Sequence, residues 1–190
     1  MRYISSMSML INTFKHTVTA FAVIVCYSLP VGAATLDELF NELVEADALS
    51  HDRIEGQIIA QWEKSGSASL DLLLQRGKDA LAAGDPEAAL EHFSALVDHD
   101  PTFAEAYGER ATAYYGVGLL GPALDDLRMT LVLNPRHFGA MRGVAVILEG
   151  MERPAEALEV YQAILQINPL ADGVAEAAER IQLALEGQAL

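Results

Sequence analysis

Pro101, Pro135 and Pro169 stand 34 residues apart, and the residues between them repeat in register. With units opened at Leu70, Ala104 and Phe138, the fourth positions are Leu73, Tyr107 and Met141, all large and apolar. The eighth are the small Gly77, Ala111 and Ala145. The twentieth are Ala89, Ala123 and Ala157, and the twenty-fourth are the bulky Phe93, Leu127 and Tyr161. A fixed period of this length predicts stacked helix pairs, each too small to bury its apolar face alone. Within the first unit, Leu70 to Ala83 reads as a helix, Gly84-Asp85-Pro86 breaks it, and Pro86 to His99 forms the second. Glycine suits the left-handed position past a helix and proline the first turn of the next. Gly118 with Pro122, and Gly150 with Pro154, are assigned those tasks in the later units.

The pattern of large residue at 4, small at 8, alanine at 20, bulky at 24 and proline at 32 resembles the tetratricopeptide repeat. The resemblance covers Leu70 to Ala171 without an insertion. It implies an all-α, right-handed α-solenoid of three helix pairs that binds proteins or peptides along a concave wall made mainly by the first helix of each pair. By the same resemblance, positions 2, 5, 9 and 12 of those helices line the groove. They are Asp71, Leu74, Lys78 and Leu81, then Glu105, Gly108, Thr112 and Tyr115, then Gly139, Arg142, Val146 and Glu149. Family members that grip a C-terminal carboxylate carry lysine at position 5 and asparagine at position 9 of the first unit. Leu74 and Lys78 stand there, with Glu109 and Gly143 at the later clamp positions, so that clamp is absent. The remaining mixture of apolar, glycine and isolated charged positions suits an extended peptide or an amphipathic helix.

Past the last unit, Val174, Ala178, Ile181 and Leu185 make one apolar stripe, read as a capping helix within residues 172–190. Residues 34–69 read as an N-terminal helical pair and linker. Leu36, Leu39, Phe40 and Leu43 form one face, opened by Thr35 and Glu38 in capping-box spacing. Ile54, Ile58 and Trp62 form the other, ended by Ser65-Gly66-Ser67. Glu55 falls where the repeat alanine belongs, so this pair is no fourth unit. It is expected to cap Leu72, Leu73 and Leu74, with docking to another protein as the alternative.

Residues 1–33 belong to a different physical class. Arg2 and Lys15 are their charged residues, an apolar run spans Thr17 to Leu29, and Val31-Gly32-Ala33 supplies small residues for a signal peptidase. The expectation is a secretory signal cleaved after Ala33 or Ala34. Its apolar run falls short of the ~20 residues of a spanning helix, so no membrane insertion is expected after cleavage. Cys26, the one cysteine, leaves with the signal. Val25 and Val23 before it do not fit a lipoprotein signal, which disfavours lipid anchoring there. The expected location is the periplasm.

Of 12 basic residues two lie in that segment, so the remainder carries 10 against 27 acidic ones, a formal charge of −17. That balance disfavours nucleic acid and anionic lipid. Gly116-Val117-Gly118-Leu119-Leu120-Gly121 matches a dinucleotide fingerprint by letter, but the fingerprint requires a preceding strand, and the register puts a helix there. His92 and His99 share a helix face without a third ligand at close spacing. His137 reads as a polar residue in an inter-unit loop. No nucleophile elbow, no surviving cysteine and no inward carboxylate pair point to an enzyme. No cofactor and no metal are expected. The reading is therefore a monomeric adaptor for a protein or peptide partner in the bacterial envelope, with a self-assembling structural repeat as the alternative.

Overall fold

The computed structural model describes residues 34–188; the expected signal, residues 1–33, lies outside them. Among the described residues there are nine helices and no strand. They are α1 (Leu36–Val44), α2 (His51–Trp62), α3 (Ala68–Ala82), α4 (Pro86–His99), α5 (Ala104–Gly116), α6 (Leu120–Leu133), α7 (Phe138–Gly150), α8 (Pro154–Ile167) and α9 (Val174–Gln188). Helices α3 to α8 pack as three antiparallel pairs, α3 with α4, α5 with α6 and α7 with α8, and each pair stacks on the next. No described helix is long and apolar enough to cross a membrane.

Small residues at position 8 meet bulky ones at position 24 inside each pair. Gly77 lies so close to Phe93 that an added Cβ would sit 2.3 Å from the ring. Ala89, Phe93 and Leu96 are wholly buried there, and Leu74, Phe103 and Ala106 extend the same core into the second unit. Ala111, Ala123, Leu127, Ala140 and Ile147 form a second cluster that joins the second unit to the third. Both clusters cross a unit boundary because no pair closes on itself.

The three turns within pairs share one hydrogen-bond pattern, in which the residue after the left-handed position donates five residues back. Asp85 N–H reaches Ala80 O at 2.9 Å, Leu119 reaches Tyr114 at 2.9 Å, and Arg153 reaches Leu148 at 2.9 Å. The left-handed residues are Gly84 (φ +76°), Gly118 (φ +78°) and, in the third unit, Glu152 (φ +58°). Gly150, expected in that role, is instead the last residue of α7. The period explains the difference. The turn position recurs every 34 residues whatever residue fills it, and Glu152 accepts the strained conformation that the stacking demands. Pro154 does open α8, as Pro86 opens α4, and the Asp85 side chain caps α4 by accepting from Ala88 N–H at 2.9 Å.

The N-terminal pair does not cover the first unit. Leu72 stays 51% exposed, while α1 packs against α8. Leu39, Phe40, Leu43, Ile54 and Ile58 are buried where α1 packs on α2 and α8. The side chains left over, Trp62, His51 and Asp37, find partners at the loops that follow the second and third units.

Candidate functional site

The first helices α3, α5 and α7 stand side by side and line two adjoining cavities. The inner one, of about 270 Å³, lies between α2 and the wall, among Ile59, Trp62 and Glu63 on one side and Lys78, Glu105, Gly108 and Gly139 on the other. The outer one, of about 240 Å³, is bounded by Ala111, Tyr115, Arg142, Val146 and Ile147. Thr112, Leu127, Gly139 and Gly143 border both. Gly143 makes the shared floor low: a Cβ there would stand 3.0 Å from Leu127.

The twelve residues expected on the wall take different places. Lys78, Glu105, Gly108, Thr112 and Gly139 line the inner cavity, and Thr112, Tyr115, Gly139, Arg142 and Val146 the outer one. Leu74 is buried in the first core, with Leu81 packed against it. The Asp71 carboxylate accepts from Ser65 Oγ at 2.7 Å and from its N–H at 2.9 Å, which lowers its pKa and ties the linker down. Glu149 accepts from Tyr161 Oη and from Arg180, both at 2.8 Å, and so joins α7 to α8 and α9.

His137, assigned from sequence to an undemanding loop, is 7% exposed and structural. Its Nδ1 accepts the Ala140 N–H at 3.0 Å, capping α7, so its ring proton lies on Nε2 and is donated to Glu105 at 3.0 Å. Trp62 stacks on this imidazole, with centroids 4.4 Å and planes 18° apart, and tilts against Phe138 at 4.9 Å. Neither Trp62 nor His137 was among the expected groove residues. The available signal was chemical: His137 stands where the equivalent loop residues are Phe103 and Ala171, and it is the one of the three that can cap through its side chain.

The inner cavity is electrostatically mixed. Glu63, the residue just past α2, and Glu109 from α5 both face Lys78, the latter at 3.7 Å. Burial opposes the Lys78 charge, but the Glu63 hydrogen bond and the Glu109 and Glu105 charges raise its pKa overall. Burial raises the pKa of Glu109, and the neighbouring Glu105 raises it further. These groups compensate one another, as charged side chains in a half-closed site must.

Outside the groove, Arg136 pairs with Asp37 and lies over the Phe40 ring at 4.1 Å. Asn168 Oδ1 accepts from His51 Nε2 at 2.7 Å, and its amide donates to Glu55 at 3.0 Å. In the earlier units the equivalent Asp100 and Asn134 accept from the backbone two residues on, at 2.9 and 3.3 Å. In the last unit that local turn bond gives way to a contact with α2. With Nε2–H directed at Asn168, His51 Nδ1 faces Asp52 at 3.1 Å and needs a proton there. Burial disfavours this, yet the Asp52 and Asn168 contacts raise the His51 pKa overall.

A family model described as tetratricopeptide repeat matches residues 74–131 and 109–172. The chain belongs to the tetratricopeptide repeat family. It is 33% identical over 135 residues to a TPR repeat-containing protein of Rhizobium etli, covering 70% of this chain and 66% of that one. It is 35% identical over 126 residues to the DnaJ homolog subfamily C member 3 of Rattus norvegicus, covering 65% of this chain and 25% of the relative. The chain therefore spans less than two thirds of these curated relatives' length. Among solved structures, the first TPR of Spaghetti (RPAP3) bound to the HSP90 peptide SRMEEVD superposes with TM-score 0.58 at 20% identity, over 62% of this chain and 93% of that one. The superposition shows the fold, stacked helix pairs whose first helices α3, α5 and α7 stand side by side.

Proposed function

We propose that this tetratricopeptide protein is an exported adaptor of the bacterial envelope that holds a protein partner in the outer half of its groove. The observation that carries the reading is the outer cavity. Tyr115 is half-exposed over it, Val146 is 38% exposed beside it, and Arg142 has no carboxylate partner among the described residues. An apolar hollow with a glycine floor, a tyrosine and a free guanidinium suits a segment presenting a large apolar side chain next to a carboxylate. Tyrosine and arginine are the side chains that most often anchor interfaces. The RPAP3 domain holds an acidic peptide, SRMEEVD, which supports a peptide as the class of partner. The export part of the proposal rests on the composition of residues 1–33.

One experiment addresses both parts. The full chain is expressed in a bacterial envelope, crosslinked in place and recovered, and its intact mass and captured proteins are compared with those of a Tyr115→Ala, Arg142→Ala variant. A mass beginning at Ala34 or Thr35 is expected, as is loss of the captured partner from the variant at an unchanged melting temperature. A retained Arg2 segment overturns the export reading, and an unchanged capture profile overturns the outer groove.

A further inference from the structure

His51 opens α2 and lines neither cavity of the groove. Its side chain is 6% exposed, beside an Asp52 carboxylate that is 96% exposed. Glu55 stands four residues on, half-buried, and residues at that spacing share a helix face. Each of the three offers one ligand atom, and these atoms lie within 4.8 Å of one another. Arg53, the basic residue among them, bonds Gln57 instead, at 3.2 Å.

The amide of Asn168 fixes how the imidazole is used. Asn168 follows α8 and is wholly buried. Its Nδ2 donates to Glu55 Oε1 at 3.0 Å, and because an ionised carboxylate only accepts, the amide cannot be turned round. Its Oδ1 therefore faces His51 Nε2 at 2.7 Å, and that nitrogen carries the hydrogen. A neutral imidazole has one N–H, so Nδ1 is left with a lone pair. That lone pair meets Asp52 Oδ1 at 3.1 Å, another acceptor. Two acceptors facing each other in this way require a positive charge between them: a second ring proton, or a metal ion in its place.

The gap suits a metal. Nitrogen and oxygen ligands stand ~2.0–2.2 Å from zinc, so two of them around a tetrahedral ion are about 3.3–3.5 Å apart. The Nδ1 to Oδ1 separation is a little shorter than that, and the exposed Asp52 side chain has room to adjust. A histidine that binds a metal through one nitrogen characteristically donates the other N–H to a fixed acceptor, which sets the tautomer. Asn168 Oδ1 is already such an acceptor.

We infer that His51 Nδ1, Asp52 and Glu55 form a binding site for a divalent transition cation of the zinc class, with Asn168 as its positioning residue. One imidazole nitrogen and two carboxylates suit zinc, whereas calcium and magnesium take oxygen ligands in larger number. Water completes the coordination on the solvent side, where Asp52 lies open. The formal net charge of −15 draws cations to the chain and favours capture. Binding releases the second ring proton to solvent. Because the other ring nitrogen holds Asn168, the ion also tightens the junction between α2 and the loop after α8. The site shares no residue with the groove, so the adaptor reading and this one stand or fall separately.

The test uses the full chain carrying Cys26→Ser, which removes the one thiol that would compete for the metal, and zinc chloride as the probe. Calorimetric titration is expected to show one zinc ion bound per chain, with no saturable binding of calcium or magnesium. Asp52→Asn and Glu55→Gln are each expected to weaken zinc binding at least about tenfold. Asp52 is exposed, so its variant should melt with the parent when zinc is absent. Added zinc should then raise the melting temperature of the parent and leave that of Asp52→Asn where it was. Nitrogen NMR of the imidazoles identifies the ligand atom. His51 Nδ1 should shift on zinc addition while Nε2 keeps its proton, and His92, His99 and His137 should stay unchanged. Equal zinc binding by the parent and both variants overturns the inference, as does the absence of saturable binding. So does a zinc-induced shift confined to the other histidines, or zinc held through His51 Nε2 with Asn168 released.

Discussion

At the scale of single residues, Arg110 and Asp126 show how a charged side chain is accommodated where an apolar one usually packs. They occupy positions 7 and 23 of the second unit, facing each other across the helix pair. The guanidinium donates from Nε to Oδ2 at 2.6 Å and from the second nitrogen to Oδ1 at 2.8 Å, a two-point contact. The side chains are 16% and 10% exposed, and the Tyr107 and Tyr114 rings lie 5.5 and 5.8 Å from the guanidinium carbon. Removing Asp126 would leave a mostly enclosed cation unpaired. Asp126→Ala is therefore expected to cost about 1–3 kcal/mol, above an exposed pair and below a wholly buried one. A double-mutant cycle with Arg110→Leu in urea denaturation checks this, and strict additivity would show that the pair is uncoupled. This contact was legible in the sequence, because aligning the units puts Arg110 opposite Asp126 where the third unit has Val144 and Val160. His137 was not legible in the same way. Its cap on α7 and its stack under Trp62 depend on a loop conformation and on a helix 75 residues earlier, and no periodicity encodes either.

At the scale of elements, the repeat register located the helices of the three units and the bulky and small positions that pack them. It did so because position 8 must be small wherever position 24 is large, as Gly77 and Phe93 show. The third turn was misplaced for the opposite reason. Glycine identity points to Gly150, while the 34-residue spacing from Gly84 and Gly118 leads to Glu152. The placement of α1 and α2 was illegible because a capping box and an apolar face define a helix without saying what it lies against. Glu152 supplies a prediction at this level. An L-residue at φ +58° is strained by ~1–2 kcal/mol, whereas glycine is at ease there and loses part of that gain to its freer unfolded chain. Glu152 lies exposed at the turn, so little else changes on replacement. Glu152→Gly is expected to raise stability by about 0.5–1 kcal/mol, read as a higher urea midpoint at unchanged slope. A lower midpoint would mean that the Glu152 side chain contributes more than its backbone costs.

At the scale of the whole molecule, an array whose units do not close on themselves must end in something that does. Helix α9 packs on α8 and covers its outer face. Val174, Ala178 and Ile181 are buried at 1%, 8% and 2% exposure, while Glu176, Glu179 and Arg180 face outward. Arg180 reaches back to Glu149 of α7 at 2.8 Å, so the helix is tied to both helices of the third unit. This helix is apolar where it meets α8 and charged on much of its other side, with Leu183 exposed, whereas a filament-forming array presents an apolar end to the next copy. Stopping the chain after Ala171 removes the burial of Val174 and Ile181 and exposes the surface of α8 that they cover. At ~1.5–3 kcal/mol for each of the two large aliphatic side chains, the loss is about 3–6 kcal/mol. For a domain of this size that corresponds to a melting temperature lower by about 10 °C. The expected outcome is that fall, together with concentration-dependent association as bare α8 surfaces find each other. A shortened chain that melts with the parent and sediments as a monomer would show that the third unit is self-sufficient, and that α9 serves a partner instead of the fold.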